Sequence, residues 1–367
     1  MDIREAKICF VAHSFYDRDG RVRRHAETLA DICRQVDTIT LRAKGQPASK
    51  VFNGVRIITI PFGYRSNMRS GYLLEYGISF ILFAIWLLVL YMRHHYDIIH
   101  IHNMPDLLTF AAFLPRILGA KVILDIHDPM PELYLSKFKD SPRSLDSQFI
   151  RMQEKTSTAF ANAVITANHL FKENLEKRGV PSNKITVINN VAEGKIFKRN
   201  RPSRDQDNQK PTFTLIYVGT VARRYGLDVP IRALPELVTH IPHIHLEITG
   251  ALRDGGEELI GLVNQLGVSS YVTFYPPIPI DEIPGKLAAA DIGIYTAHTD
   301  PHMNIATPTK VFEYVAMGLP IIASRLPILE DLFSEGSLLF FEPGNTEHFA
   351  QCVIDLYDHP QKRQALV

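Results

Sequence analysis

Two α/β domains, each a parallel sheet covered by helices on both faces, are what this sequence predicts, and three observations carry the expectation. Short apolar runs recur at 7–12, 36–41, 55–60, 97–102 and 121–126, and a second series follows at 213–218, 244–249, 271–275, 291–295 and 320–323. Continuous apolar runs of that length, spaced by helical segments, are the pattern of strands buried on both faces, which need parallel order and crossover helices. Between the two series lies KRNRPSRDQDNQKP, residues 198–211, polar, charged and proline-bearing as a linker is. The expected division is a Rossmann-like domain at 1–197, a linker at 198–212 and a second Rossmann-like domain at 213–367. Ligands of open parallel sheets gather at the carboxyl ends of strands, so two such domains facing one another predict a cleft.

Composition narrows the function. A net charge of +1 with 46% hydrophobic and 22% charged residues describes an ordinary folded protein, not a dedicated nucleic-acid binder. The charge is uneven: up to Arg69 there are 13 Lys and Arg against 7 Asp and Glu, which favours an anionic partner on that side. Cys9, Cys33 and Cys352 are scattered and odd in number, suggesting neither a disulfide framework nor a zinc finger, and they fit a reducing cytosol. The opening MDIREAK runs straight into an apolar strand without a signal-peptide hydrophobic region, so export by that route is not expected.

Near the start, Asp19-Gly20-Arg21-Val22-Arg23-Arg24 follows the first strand and opens a helix. The turn suits a phosphate held by the helix N-terminus with Arg21 or Arg23, and equally a solvated basic turn. The run from Gly77 to Met92 is apolar throughout apart from Ser79. Its length is about 24 Å, short of the roughly 30 Å hydrocarbon core, so it reads either as a buried helix or as one dipping into a bilayer face. In the second case Tyr72, Tyr76 and Trp86 are the interfacial residues, with Arg65, Arg69 and Arg93 flanking. His100 and His102 share one face of a strand, and Asp125-Ile126-His127-Asp128 closes the next, placing His127 where sites of this architecture form. These groups imitate a metal site, but no ligand motif is complete and no metal is expected. Asp106 and Glu132, each near a strand end, are candidates to orient an acceptor hydroxyl.

In the second half, Gly219-Thr220 and Arg223-Arg224 follow the strand ending at Val218. Glycine lets a ligand approach the backbone, and guanidinium groups bind diphosphate oxygens in pairs. Residues 306–324, ATPTKVFEYVAMGLPIIAS, read as a helix with Thr307 as N-cap, Pro308 in the first position and Gly318 and Pro320 as the stop. Val311, Phe312, Val315 and Ala316 are expected on its buried face, and Lys310, Glu313, Tyr314 and Met317 on the other. A lysine in the first turn opposes the helix dipole, a mismatch a bound phosphate reverses, although the pattern also suits a solvated lysine paired with Glu313.

This last stretch resembles the donor-site signature of retaining glycosyltransferases of the GT-B fold, family 4 type. The resemblance extends through residues 14–30, 96–108, 121–134, 184–197, 215–234, 246–252 and 288–295 in the family's order, across nearly the whole chain. It implies a GT-B fold and a nucleotide-sugar donor. The ribose is held by Glu313, the diphosphate by Lys310, Thr309, Gly219, Thr220 and Arg223 or Arg224, and the sugar hydroxyls by His127. It further implies transfer with retention and no metal or other cofactor. Together with the apolar helix it leads to the expectation of a lipid-linked or glycan acceptor at the inner face of the cell membrane, with Arg21, Arg23, Asp106 and Glu132 as the acceptor-side candidates. Two departures stand out. Thr220 and Tyr225 occupy positions where the family usually carries Arg and Lys, and Ile305 stands where the first of its two Glu belongs. That second departure keeps open a sugar-nucleotide-binding subunit without activity, and a GT-B sugar-nucleotide 2-epimerase is the rival enzyme. The ending HPQKRQALV reads as an unfinished helix, without the family's final crossover helix.

Overall fold

The computed structural model describes residues 2–61, 69–138, 143–199 and 212–366. Residues 200–211 of the expected linker, Arg65, and the side chains of Arg69 and Tyr72 lie outside the described residues. The chain forms two compact units, Met1–Asn190 and Val191–Val367. The break falls earlier than the expected 197 because the start of the linker belongs with the second unit. There the Arg199 side chain lies against Gly318, close enough that a Cβ on that glycine would meet Nε at 2.8 Å.

In the first unit the strands are β1 (Lys7–Ala12), β2 (Gln35–Leu41), β3 (Ser49–Phe52), β4 (Val55–Ile60), β5 (Ile98–His102), β6 (Lys121–Ile126), β7 (Ala163–Thr166) and β8 (Ile185–Val187). They form one sheet in the order β3-β4-β2-β1-β5-β6-β7-β8, parallel except where β3 pairs antiparallel with β4 at the edge. Alternate residues of β1 feed different cores: Cys9 and Val11 pack on one face, Ile8, Phe10 and Ala12 on the other. That double burial is why the strand reads as an unbroken apolar run. Strand order reverses between β1 and β5, which opens a crevice at their carboxyl ends.

The second unit holds β9 (Phe213–Val218), β10 (Ile244–Thr249), β11 (Val272–Tyr275), β12 (Ile292–Tyr295), β13 (Ile321–Ser324) and β14 (Leu339–Phe341). They form an all-parallel sheet in the order β11-β10-β9-β12-β13-β14, with its reversal between β9 and β12.

The apolar run at 77–92 belongs to a longer helix, Arg69–His94. One side, with Phe83, Leu87, Leu90 and Tyr91, is seated in the core of the first unit. The opposite side exposes Ile78, Ile81, Ile85, Trp86, Val89 and Met92. Burial therefore describes one face of this helix, and the other is an outward apolar surface. The exposed surface continues on the neighbouring helix Phe113–Ile117, where Phe113, Leu114, Ile117 and Leu118 are exposed. The two are joined by the Tyr91 hydroxyl, which donates to the Leu118 carbonyl at 3.0 Å.

The helix expected after Thr307 spans Thr309–Ala316 with Pro308 at the N-cap position and no side-chain cap, one residue later than the sequence suggests. Its faces also differ. Tyr314 is fully buried and its hydroxyl accepts the Val218 amide at 2.9 Å, whereas Val315 is exposed and Phe312 is half-buried, its ring tilted against that of Phe333 with centroids 5.2 Å apart. A hydroxyl partner inside the sheet outweighs the apolar count of the expected face.

Substitutions on the long helix separate its two sides. Phe83→Glu buries an unpaired carboxylate and is expected to cost more than about 4 kcal/mol, while Ile81→Glu stays within about 0.5 kcal/mol of the parent in urea denaturation. Equal losses would contradict the assignment of faces.

Candidate active site

At the crevice of the second unit, β9 ends in Gly219 at φ +142, a conformation that side-chain-bearing residues rarely adopt. A Cβ there would lie 2.7 Å from Lys310 Nζ, so the absent side chain is the space the lysine fills. Lys310 reaches this point from the first turn of its helix and donates to the Tyr217 hydroxyl at 2.6 Å. The rings of Tyr217 and Tyr225 each lie 4.1 Å from Nζ, and that of Tyr295 lies 5.7 Å away. Burial pulls the ammonium down to about 7; the Glu313 carboxylate opposes that shift and the Arg224 guanidinium adds to it. Lys310 and Glu313 thus act on one electrostatic site, as their spacing predicts. Thr309 opens the helix beside them, and Thr220 is exposed at the loop surface, its carbonyl accepting the Tyr217 hydroxyl at 2.7 Å.

The two arginines divide. Arg223, one of the two arginines expected at the diphosphate, turns outward to Glu258, and both side chains are largely exposed. Arg224 is half-buried with its guanidinium 5.4 Å from the Tyr225 ring, and its Nε is buried without a hydrogen bond. The nearby His298 holds Asp228 at 2.8 Å, with the hydrogen bond to that carboxylate raising the imidazole above its ordinary value.

At the crevice of the first unit, Asp125 is fully buried at the end of β6 and meets the Arg21 guanidinium through Nε at 2.9 Å and Nη2 at 3.0 Å. Arg21 also donates to the Ile188 carbonyl at 3.0 Å. Arg21 is therefore not the surface phosphate ligand expected from its place in the helix; its fork is spent inside the unit, and the helix start is capped instead by Asp19, which accepts from the Val22 amide. Arg23 remains partly exposed, paired with Glu27 at 3.1 Å.

Four imidazoles surround Asp125, with nitrogens of His25, His100, His102 and His127 at 3.5, 3.6, 3.6 and 3.8 Å. Donor atoms of His25, His100, His102 and Asp125 lie within 4.8 Å of one another, closer than sequence spacing alone suggests. The cation Asp125 holds is Arg21, and the imidazoles flank that ion pair. Burial alone would raise the Asp125 carboxyl, but His100, His127, His102 and Arg21 bring it well below the usual carboxylate range. Burial and the neighbouring His100 hold His102 well below the usual imidazole range, so it is neutral. His127, at the crevice rim, is raised because Asp125, Asp128 and Asp19 outweigh its burial.

Asn103, which sequence reasoning passed over, orders this rim. Its side-chain oxygen accepts the His127 and Asp128 amides at 3.2 and 3.4 Å, and its nitrogen donates to the Asp128 carbonyl and to Asp106 at 2.6 and 3.2 Å. Asp106 is fully buried, and burial lifts its carboxyl to about 6. Glu132, the other acceptor-side candidate, is bound by Arg178 at 2.5 Å, and Arg178 also holds the buried Glu154 at 2.6 Å.

Both halves of the chain match known families. Residues 21–192 match the family described as Glycosyltransferase Family 4, and residues 212–359 match Glycosyl transferases group 1. The chain belongs to the GT-B glycosyltransferases. It is similar to the D-inositol 3-phosphate glycosyltransferase of Arthrobacter sp., 27% identical over 41% of this chain and 36% of the relative. The enzyme of the same name from Paenarthrobacter aurescens is 25% identical over 74% of this chain and 67% of its own length. The chain thus spans about a third of the first relative and two thirds of the second. The fold is shared with sucrose-phosphate synthase of Thermosynechococcus elongatus, with a TM-score of 0.77 at 19% identity over 98% of this chain and 92% of the other. Anabaena HepE, solved with UDP-glucose, gives 0.69 at 17% identity over 98% and 92%.

Removing the charge of Asp125 leaves the Arg21 guanidinium buried and uncompensated. Asp125→Asn is expected to cost about 3–5 kcal/mol in chemical denaturation, and Arg21→Met with Asp125→Leu together to recover much of it. A loss below about 1 kcal/mol for Asp125→Asn would show that the pair is not the keystone of this crevice.

Proposed function

We propose that the protein transfers a sugar, with retention and without a metal, from a nucleotide-sugar donor to a lipid-linked or glycan acceptor at the cytosolic face of the membrane. The observation that carries the reading is Lys310 lodged against Gly219 at the β9–β12 reversal with Glu313 one turn along the same helix. A diphosphate at Gly219 meets a cation, and Glu313 is placed to accept from ribose hydroxyls. Arg224 is the second cation. Charge that grows on the departing nucleoside diphosphate is stabilised by these groups, an effect worth about 3 kcal/mol for one well-placed donor. On the other unit, His127 at the strand-end rim, held by Asn103, suits a contact with the donor sugar, and Asp106 and Arg23 are the remaining acceptor-side candidates. Anabaena HepE, whose fold this chain shares, was solved with UDP-glucose, which supports a donor of that chemical class.

The test is a thermal-shift screen of nucleotide sugars, followed by transfer assays that read the anomer of the product by NMR. Lys310→Ala and Glu313→Gln are each expected to weaken nucleoside diphosphate binding at least tenfold in calorimetry with the fold intact, and turnover is expected to survive EDTA. Unchanged affinity in both variants, or activity lost to chelator and restored by magnesium or manganese, would overturn the reading. Donor binding without transfer or hydrolysis would favour the inactive subunit, and interconversion of the donor sugar at C2 the epimerase.

Membrane contact rests on the outward side of the long helix, where Ile78, Ile81, Ile85 and Met92 continue into Leu114, Ile117 and Leu118. Arg93 at the helix end and Arg116 beside this surface supply attraction to anionic lipid. Ile81→Glu with Ile117→Glu is expected to cut co-sedimentation with phosphatidylglycerol vesicles severalfold, and the parent's binding to weaken with salt. A folded variant that sediments like the parent would remove this surface from the account.

A further inference from the structure

Three aromatic rings surround Lys310, from β9, the loop after it and β12, and this arrangement goes beyond what a phosphate-binding lysine requires. Tyr217, on β9, offers both its ring and its hydroxyl, which accepts from Nζ at 2.6 Å while donating to the Thr220 carbonyl at 2.7 Å. Tyr225 closes the other side at 4.1 Å, in the loop that ends at Gly226. That loop is locked: Gly226 has φ +62, and a Cβ there would strike the Thr296 carbonyl oxygen at 1.9 Å. The Thr296 hydroxyl in turn donates to the Tyr225 carbonyl at 3.1 Å. Tyr295, from β12, stands behind the amine. We infer that Tyr225 is a positioning residue of the donor site: with Tyr217 it keeps Lys310 dry and aimed at Gly219, so that a nucleoside diphosphate docking there binds together with a proton.

The groups that face the amine are Glu313 on its own helix, Arg224 and Tyr225 on the loop after β9, Tyr217 on β9, and Tyr295 on β12. Tyr314 lies beside Glu313, and Asp300 beside Tyr295. Glu313 and the ring faces favour an ammonium; burial and Arg224 oppose it, and the balance leaves the group near half protonation at neutral pH. A diphosphate adds at least two negative charges at the same point. The ammonium is then the favoured form, and the proton comes from solvent. Without the Tyr225 ring, water reaches Nζ, the amine is charged before the ligand arrives, and the coupling is lost.

This rests on the donor-site reading above, and the experiment separates the two. The probe is whichever of UDP, GDP and ADP raises the melting temperature of the full chain. Calorimetry at about pH 8 in two buffers of different ionisation enthalpy is expected to show uptake of most of a proton per nucleotide bound. Affinity is expected to fall toward tenfold per pH unit between about pH 7.5 and 9 in the parent and in Tyr225→Phe, and to be nearly flat in Tyr225→Ala. A Tyr225→Ala variant with the parent's slope, or a parent that binds without proton uptake, overturns the role of the cage while leaving the donor site standing. Failure of all three nucleotides to bind the parent overturns both.

Discussion

The contact on which the second unit's site depends is that of Lys310 with Tyr217 across Gly219. Three constraints have to hold at once for it to form. Gly219 has no side chain and sits at a φ that excludes others, the helix starts one residue beyond Pro308 so that Lys310 lies in its first turn, and Tyr314 pins that helix to the Val218 amide. A methyl group at Gly219 would occupy the lysine's place. The lysine, not the loop arginines, is therefore the cation nearest the strand end. Its charge is set by burial, which Glu313 opposes and Arg224 reinforces, a balance that a ligand can tip.

The first unit solves a related problem with the opposite result. Asp125 is a carboxylate at the centre of a crevice, and it is kept ionised by a permanent cation, Arg21, with imidazoles packed around the pair. The neutral His102 lies behind, while His127 stands at the rim with a raised proton affinity. One unit thus presents an amine whose charge is adjustable, and the other a fixed ion pair that orders a histidine. Both sit at a reversal of strand order, where a parallel sheet exposes backbone amides and strand-end side chains together.

Most of the framework was legible in the chain. Each of the ten apolar runs corresponds to a strand, because burial on both faces keeps these segments mainly apolar, although Asp37, Thr38, His100, His102 and Asp125 are buried within them. The strands that escaped, β3, β7, β8 and β14, are three or four residues long, and β3 is a largely exposed edge strand. The donor helix was legible through its spacing, yet its buried face was misread, since Tyr314 enters the interior by virtue of one hydroxyl contact that no periodicity encodes. Arg21 was misread for a similar reason. Its partner Asp125 lies 104 residues away, and a local basic turn looks the same whether its arginine points outward or inward. The tyrosine cage was invisible because Tyr217 and Tyr295 look like ordinary strand aromatics until topology makes β9 and β12 neighbours. Tyr225 alone gave a signal, as a departure from the expected lysine.

The account's central claim is that Lys310 changes its protonation when diphosphate arrives, and NMR of the lysine side chains, with Lys310 assigned through Lys310→Arg, measures this directly. In the free protein the Lys310 ε-carbon is expected to titrate near pH 7, and with nucleoside diphosphate bound its titration moves above 9, toward the usual lysine range. A Lys310 signal that titrates above pH 10 in the free protein and does not move when nucleotide is added would contradict it.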